Sequence, residues 1–313
     1  MNISSKKPIS SPITGGKTIP ERAIPRADII ALYPSYDVSR FFNEASEVSV
    51  MRCLDTDYRF YYPYSTAGDG TYYEFLSKGE NYYVPWKTEH EFAMRHITDG
   101  QRILEIGCAN GGFLDEARRK KKIIAEGTEL NAKARQEARE RGLTVFDDSL
   151  SEIIKNRKEY YDVVCSFQVL EHVADVRSFI KDSIALLKPG GYMIIGVPNN
   201  ESFIRHTRSP FLNMPPHHMG LWNEASLKKA ASFFGLKCEA VYFTHLPRYH
   251  YRYYYQVMFG DRLGFFNSKG ALRIVGKILN KGLYECLGRF IIMPFAKNIR
   301  GDTIVGVFQK KLK

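Results

Sequence analysis

Apolar residues in the middle of this chain fall into short, nearly solid runs, separated by segments whose apolar positions recur every three or four residues. Solid runs mark strands buried on both faces, and the longer period marks helices with one apolar stripe. QRILEIG, IIAEGTEL, LTVFDD, YYDVVCSF and GYMIIGVPN predict five buried strands. GGFLDEARRKK, NAKARQEARERG (ending at Gly142) and VRSFIKDSIALL predict helices between them. EASLKKAASFFG predicts one more helix, and KCEAVYF with DTIVGVFQ predicts a closing strand pair. Strands alternating with helices imply a parallel sheet with helices on both faces.

The flanks read differently. Residues 1–45 are rich in Ser, Pro, Gly and Lys and are expected to be an extended, flexible segment. Residues 46–98 form an aromatic-rich prelude containing YRFYYPYSTAGDGTYYEFL and NYYVPW. The core spans 99–245, an insertion 246–300, and the final strand 301–313. No internal repeat is present.

Composition narrows the class. The 313 residues are 44% hydrophobic and 25% charged, enough for a packed core. The net charge of +11 favours anionic partners without choosing among them. Five scattered cysteines (Cys53, Cys108, Cys165, Cys238 and Cys286) offer no zinc spacing and suit a reducing compartment. The N-terminus has no signal-like apolar stretch, and no apolar run reaches membrane-spanning length, so a cytoplasmic location is expected.

Candidate chemistry starts at LEIGCANGGF, where a strand meets a glycine-rich turn and then a helix. Gly107 permits a sharp turn, and Gly111 and Gly112 permit close approach of a ligand to the helix start. Ala109 stands where a dinucleotide fingerprint has its second glycine. Glu105 lies inside the strand, where a carboxylate is costly without a partner such as a ligand ammonium. Glu129 ends the next strand and can accept from a ribose diol or cap the following helix. In FDDSL, Asp148 could accept from an adenine amino group while Ser149 offers a backbone N–H. Capping of the next helix is the alternative.

FQVLEHV and LLKPGG complete a set that resembles the class I S-adenosylmethionine (SAM)-dependent methyltransferases over about residues 99–200. The resemblance implies an α/β, Rossmann-like seven-stranded sheet in the order 3-2-1-4-5-7-6, its last two strands antiparallel. The aromatic extension precedes this core, and a helical insertion precedes its last strand. It implies SAM as cofactor. Glu105 and the loop Gly107, Cys108, Ala109, Asn110, Gly111 and Gly112 would hold its methionine end. Glu129, with Leu130 beside it, would hold the ribose, Asp148 and Ser149 the adenine, and Gln168 would line the pocket floor.

Methyl transfer requires an acceptor aligned behind the methyl carbon and a group to take its proton. His172 in LEHV is one candidate, with helix capping or packing as the alternative. Relatives that methylate phenolic quinone precursors hold a metal through Glu-x-x-Glu-His at this place. Gln168 replaces the first carboxylate here, and no metal site is expected. His217 and His218 lie in NMPPHHMGLWNEASL, which resembles a segment over the acceptor pocket in a subset of the family. Capping of the helix near Asn223 is the alternative. The prelude resembles that subset's N-terminal extension, which implies that Tyr82, Tyr83 and Trp86 cover the methionine end. Without further cysteines near Cys53, no zinc knuckle is expected.

RYHYRYYYQ interleaves basic and aromatic residues and either contacts sugar or phosphate or packs on the core. In the segment after it, Arg273, Lys277 and Lys281 share one helix face, and Leu272, Val275, Leu279 and Leu283 another. Such a helix covers the active site or lies on the inner face of an anionic membrane through residues 271–293. The expected function is methylation, at oxygen, of a small or saccharide-like acceptor, including phosphorylated and nucleotide- or lipid-linked sugars, in glycan or natural-product biosynthesis. RNA or protein methylation, a non-catalytic SAM-fold scaffold and an NAD-dependent oxidoreductase are the competing readings. Nucleic acid is not the favoured partner: SFQV stands where amino-methylating enzymes carry an NPPY-type tetrapeptide.

Overall fold

A computed structural model describes residues 8–79, 84–207, 213–260 and 289–312. The core strands are β4 (Arg102–Ile106), β5 (Ile124–Thr128), β6 (Thr144–Phe146), β7 (Tyr161–Phe167), β8 (Leu187–Pro198), β10 (Lys237–His245) and β11 (Arg300–Gln309). They form one sheet in the order β6-β5-β4-β7-β8-β11-β10. Counting core strands alone, this is the expected 3-2-1-4-5-7-6. Five strands pair in parallel, and β11 runs antiparallel to both β8 and β10.

The strands read as apolar runs because both faces are covered. Leu104, Ile106, Val164, Met193, Ile195 and Ile304 face one hydrophobic cluster. Their neighbours Ile103, Val163, Cys165, Ile194 and Val305 face the other, as the period-two alternation of side chains requires. The intervening helices are α4 (Gly112–Lys120), α5 (Ala132–Glu140), α6 (Leu150–Arg157), α7 (Val176–Leu186) and α8 (Glu224–Phe233). In α7 the buried Val176, Phe179, Ile180, Ser183 and Leu186 keep helical spacing along one face. Asn131, Ser149, Asp175 and Asn223 each accept from a backbone N–H in the first turn of the helix they precede.

The first 45 residues depart from expectation. β1 (Thr18–Pro25) pairs antiparallel with β2 (Glu47–Cys53), which pairs with β3 (Arg59–Tyr62). The boundary expected at residue 45 therefore cuts through a sheet. β1 is an edge strand with almost every side chain exposed. Backbone pairing holds it, and an edge tolerates Pro20 and Pro25, so a composition that suggests disorder still forms a strand. Ile29, Tyr33, Val38 and Phe42 then bury against Tyr61 and Tyr72.

This small sheet reaches into the second half of the chain. β9 (Gly220–Leu221) pairs with β3, and Tyr61 N donates to Met219 O at 2.9 Å. Tyr33 Oη donates to Met214 O and Tyr61 Oη to Asn213 O. The aromatic prelude thus holds the segment carrying His217 and His218. α2 (Gly70–Ser77), capped by Asp69, buries Tyr72 in the same cluster as Met214 and Met219 of that segment.

In the insertion, α9 (Tyr251–Tyr255) buries Tyr251 and Tyr255 with Phe203, Leu246 and Ile292. For these two tyrosines packing is the role observed, and Tyr249 stays 71% exposed. The expected basic amphipathic helix lies mostly outside the described residues. Among the described residues, no helix is long and apolar enough to cross a membrane.

Candidate active site

The first half of the site forms where β4 and β5 end. Gly107 and Gly111 have φ of 72° and 77°, and Ala109 follows them into the left-handed region at 50°. A Cβ on Gly107 would lie 2.6 Å from Val169, and one on Gly112 would lie 2.7 Å from the backbone of Pro85. Both glycines therefore admit neighbours that any other residue would displace. Glu129 fastens this loop. One carboxylate oxygen accepts Ala109 N–H at 2.9 Å and the other accepts Asn131 N–H at 2.7 Å. Asn131 itself caps α5, so the capping alternative for Glu129 belongs to its neighbour.

Glu105 is buried, and its Oε2 has no hydrogen-bond partner. Burial, reinforced by the nearby Glu129 charge, raises its pKa to about 8. Such a carboxyl is costly to ionise where it stands. Cys108 packs its sulfur against Gly127 and within 3.8 Å of Ala109 O, and burial pushes its thiol up. Asn110 is half-buried in the same turn. Leu130 is 86% exposed just beyond Glu129. Asp148 is exposed, and Ser149 Oγ caps α6 through Glu152 N–H, as the capping alternative proposed.

Gln168 follows β7 with φ of 57°. Its side-chain amide donates to the buried Glu89 of α3 (Thr88–Met94) and to Thr303, at 3.4 and 3.3 Å. Burial raises the Glu89 pKa as well. Glu89 was not singled out in the sequence, although a carboxylate among the apolar positions of TEHEFAM was the available signal. Trp86 stacks on Phe113 of α4, beside the glycine loop, with Lys120 4.4 Å from its ring centroid. Tyr82 and Tyr83 lie outside the described residues.

The second half of the site begins four residues beyond Gln168. His172, His217 and His218 come together, with ring centroids 4.6–4.9 Å apart and one nitrogen from each within 4.8 Å of the others. His172 Nδ1 donates to His217 O at 2.7 Å. Burial holds all three imidazoles neutral: it lowers the pKa of His172 to about 4 and takes His217 and His218 well below their usual range. Neither of the paired histidines caps the following helix, a task done by Asn223 with Ser226. Glu171 sits beside them, buried, with both carboxylate oxygens unpartnered and Oε1 3.9 Å from His172 Nε2.

α2 bridges the two halves. Tyr73 Oη donates to His217 O at 2.9 Å, and its ring lies 5.3 Å from His172. Ser77 accepts from the Asn131 side chain at 3.5 Å. Those two residues are four apart on one helix, roughly 6 Å along its axis. α2 therefore touches both the histidine cluster and the residue held by Glu129, near the carboxyl ends of parallel strands where α/β folds bind ligands.

Comparison with known proteins agrees with this geometry. A family model described as a methyltransferase domain matches residues 79–241, just over half of the chain. The ubiquinone biosynthesis O-methyltransferase of Parvibaculum lavamentivorans is 37% identical over 103 residues, covering 31% of this chain and 40% of that protein. The protein of the same name from Ruegeria pomeroyi is 38% identical over 117 residues, covering 36% and 44%. The chain thus matches less than half the length of these relatives. Among solved structures, a SAM-dependent methyltransferase from Archaeoglobus fulgidus superposes with a TM-score of 0.51 at 18% identity. It covers 76% of this chain and all of that one, a likeness of fold.

Proposed function

The chain belongs to the methyltransferase domain family, with the class I fold and SAM as its cofactor, and from that premise we propose that it methylates a hydroxyl oxygen of a small acceptor. The observation that carries the proposal is that α2 contacts both the glycine loop's neighbour Asn131 and a cluster of three buried or half-buried imidazoles.

In this reading the SAM ammonium meets Glu105, whose orphaned oxygen lacks a partner. The ribose diol meets the remaining lone pairs of Glu129, and the purine covers exposed Leu130 near Asp148 and Ser149. The acceptor hydroxyl faces His172, His217 and His218. Its proton passes to one of these imidazoles as its oxygen attacks the methyl carbon, the C–S bond breaks, and the electron pair stays on sulfur. The sulfonium supplies the leaving group, so positioning and proton removal are what the protein adds.

An aromatic acceptor fits best. Tyr73 and the imidazole rings wall the cluster, and the relatives are named for ubiquinone biosynthesis. A saccharide-like acceptor is the second reading, favoured by the charge of +11 and by exposed Tyr249 between Arg248 and His250. The test is S-adenosylhomocysteine release with a panel of catechols, hexoses and nucleotide-linked sugars, with the product identified by mass. Turnover of a hydroxylated acceptor, lost on Glu129→Ala, is the expected result. Turnover confined to amines or nucleic acid would overturn the oxygen assignment.

A further inference from the structure

Three imidazoles in a tight cluster do more than one proton acceptor requires. Two of them have their tautomers set by the surrounding hydrogen bonds. The Asn200 side-chain amide donates to Pro198 O and Trp222 O, so its oxygen is left to accept from Asn213 Nδ2 at 2.8 Å. The Asn213 oxygen then accepts His218 Nδ1–H at 3.0 Å. His172 Nδ1–H goes to His217 O. Both rings therefore carry their proton on Nδ1 and leave Nε2 as the ring's lone-pair donor, that of His172 lying 3.9 Å from Glu171 Oε1. A hydrogen-bonded Nδ1–H opposite a free Nε2 is how metal-binding histidines are oriented. The third ring, His217, has a buried Nδ1 without a hydrogen-bond partner. Beside them lies the unpartnered buried carboxylate of Glu171. Buried polar groups left without partners call for a ligand.

We infer that His172, His217 and His218 bind one divalent cation of the zinc class, with Glu171 as fourth ligand or counter-charge. Three imidazoles select Zn²⁺, Co²⁺ or Ni²⁺ over Mg²⁺ or Ca²⁺, which take oxygen donors. Tetrahedral donors about 2.1 Å from zinc lie roughly 3.4 Å apart. The donor nitrogens, within 4.8 Å of one another, reach that spacing by small rotations of side chains. This ligand set differs from a carboxylate pair with one histidine. Gln168, at the place of the first carboxylate, turns its amide to Glu89 and Thr303 instead. The sequence conceals the set because His172 and His217 lie 45 residues apart and are brought together by long-range bonds, among them Met219 N–H and Gly220 N–H to Glu171 O and the β3–β9 pairing.

The inference deepens the methyl-transfer reading and rests on it for its chemistry. A cation bound there would hold the acceptor oxygen and acidify its hydroxyl, so the proton passes to water rather than to an imidazole. The oxyanion then attacks the methyl carbon while the C–S bond breaks toward sulfur.

The test uses the full chain, stripped with a chelator and titrated with Co²⁺. Visible d–d absorption reports coordination, and competition with Zn²⁺ gives affinity. One equivalent of Co²⁺ with tetrahedral-type bands is expected, displaced by Zn²⁺ and unaffected by Mg²⁺. His218→Ala and His217→Ala each abolish the bands. Asn213→Ala, which removes the oxygen that orients His218 together with the amide bonded to Asn200, weakens Zn²⁺ about 10–100-fold without abolishing the bands. Binding of S-adenosylhomocysteine, measured on each variant, certifies the fold. No Co²⁺ or Zn²⁺ binding by wild-type chain that still binds S-adenosylhomocysteine overturns the metal site and leaves methyl transfer standing. Metal binding without any S-adenosylhomocysteine binding keeps the site and sinks the methyl-transfer reading. Wild-type bands in the folded His217→Ala,His218→Ala double variant also overturn the assignment.

Discussion

Replacing Glu129 tests the cofactor half of the site. Its two oxygens already hold Ala109 N–H and Asn131 N–H, at 2.9 and 2.7 Å. A ribose diol would add two hydrogen bonds to the same charge. Hydrogen bonds to a charged group contribute about 1.5 kcal/mol each at the low end. Glu129→Ala therefore removes roughly 3 kcal/mol from the ligand contacts alone, about 150-fold in Kd. It also frees Ala109, whose φ of 50° needs an anchor, so the loop the ligand meets is less preorganised. Glu129→Gln keeps one acceptor oxygen but turns an amide N–H₂ toward a backbone donor, and roughly a tenfold loss is expected. Calorimetric titration with S-adenosylhomocysteine measures both, with thermal melting to confirm folding and NADH as a ligand that should not bind. A folded Glu129→Ala protein that binds S-adenosylhomocysteine within about threefold of wild type would refute the assignment of the ribose to this carboxylate.

Four further outcomes follow from the same geometry. Glu105 keeps its proton to about pH 8 when folded, against an ordinary value of 4.5, so between those limits the unfolded state holds fewer protons and the ligand-free protein loses stability as pH rises. Glu105→Gln should flatten that loss, raising Tm near pH 8 and not below pH 4.5, while weakening SAM; melting curves that keep the wild-type slope would count against it. Gly112→Ala drives a methyl to 2.7 Å from the Pro85 backbone and should cost about 1–3 kcal/mol of stability together with cofactor affinity, read by denaturant unfolding and titration. Tyr73→Phe deletes the donor to His217 O, and a loss of about 1 kcal/mol should surface as a raised acceptor KM with SAM affinity unchanged. Trp222→Ala empties a fully buried position and should cost about 3–5 kcal/mol in urea unfolding.

How much of this was legible in the sequence depends on the range of the interaction that builds each part. The core sheet was legible because its strands are buried on both faces, so IIAEGTEL and YYDVVCSF carry their environment in their own composition. The loop from Gly107 to Gly112 was legible for the same local reason: a strand, a turn that only small residues permit, and a helix lie within ten residues. β1 was not legible, since an edge strand is defined by the ladder on its partner and asks little of its own side chains. The histidine cluster falls between these cases. His172, His217 and His218 could each be named as candidates, yet each alone also suited a helix cap or a packing role. Their meeting depends on Tyr61 and Tyr33 gripping Asn213 and Met214 from more than 150 residues away. Glu171 shows the limit most sharply, because in the sequence it is one more acid beside a histidine. Its meaning lies in the absence of any hydrogen-bond partner once the chain has folded around it. An isolated carboxyl in a protein interior is destabilising, and the chain keeps two of them, Glu105 and Glu171, each buried with an oxygen that has no hydrogen-bond partner. The sulfonium nucleoside and the divalent cation proposed for this chain would each answer one of them.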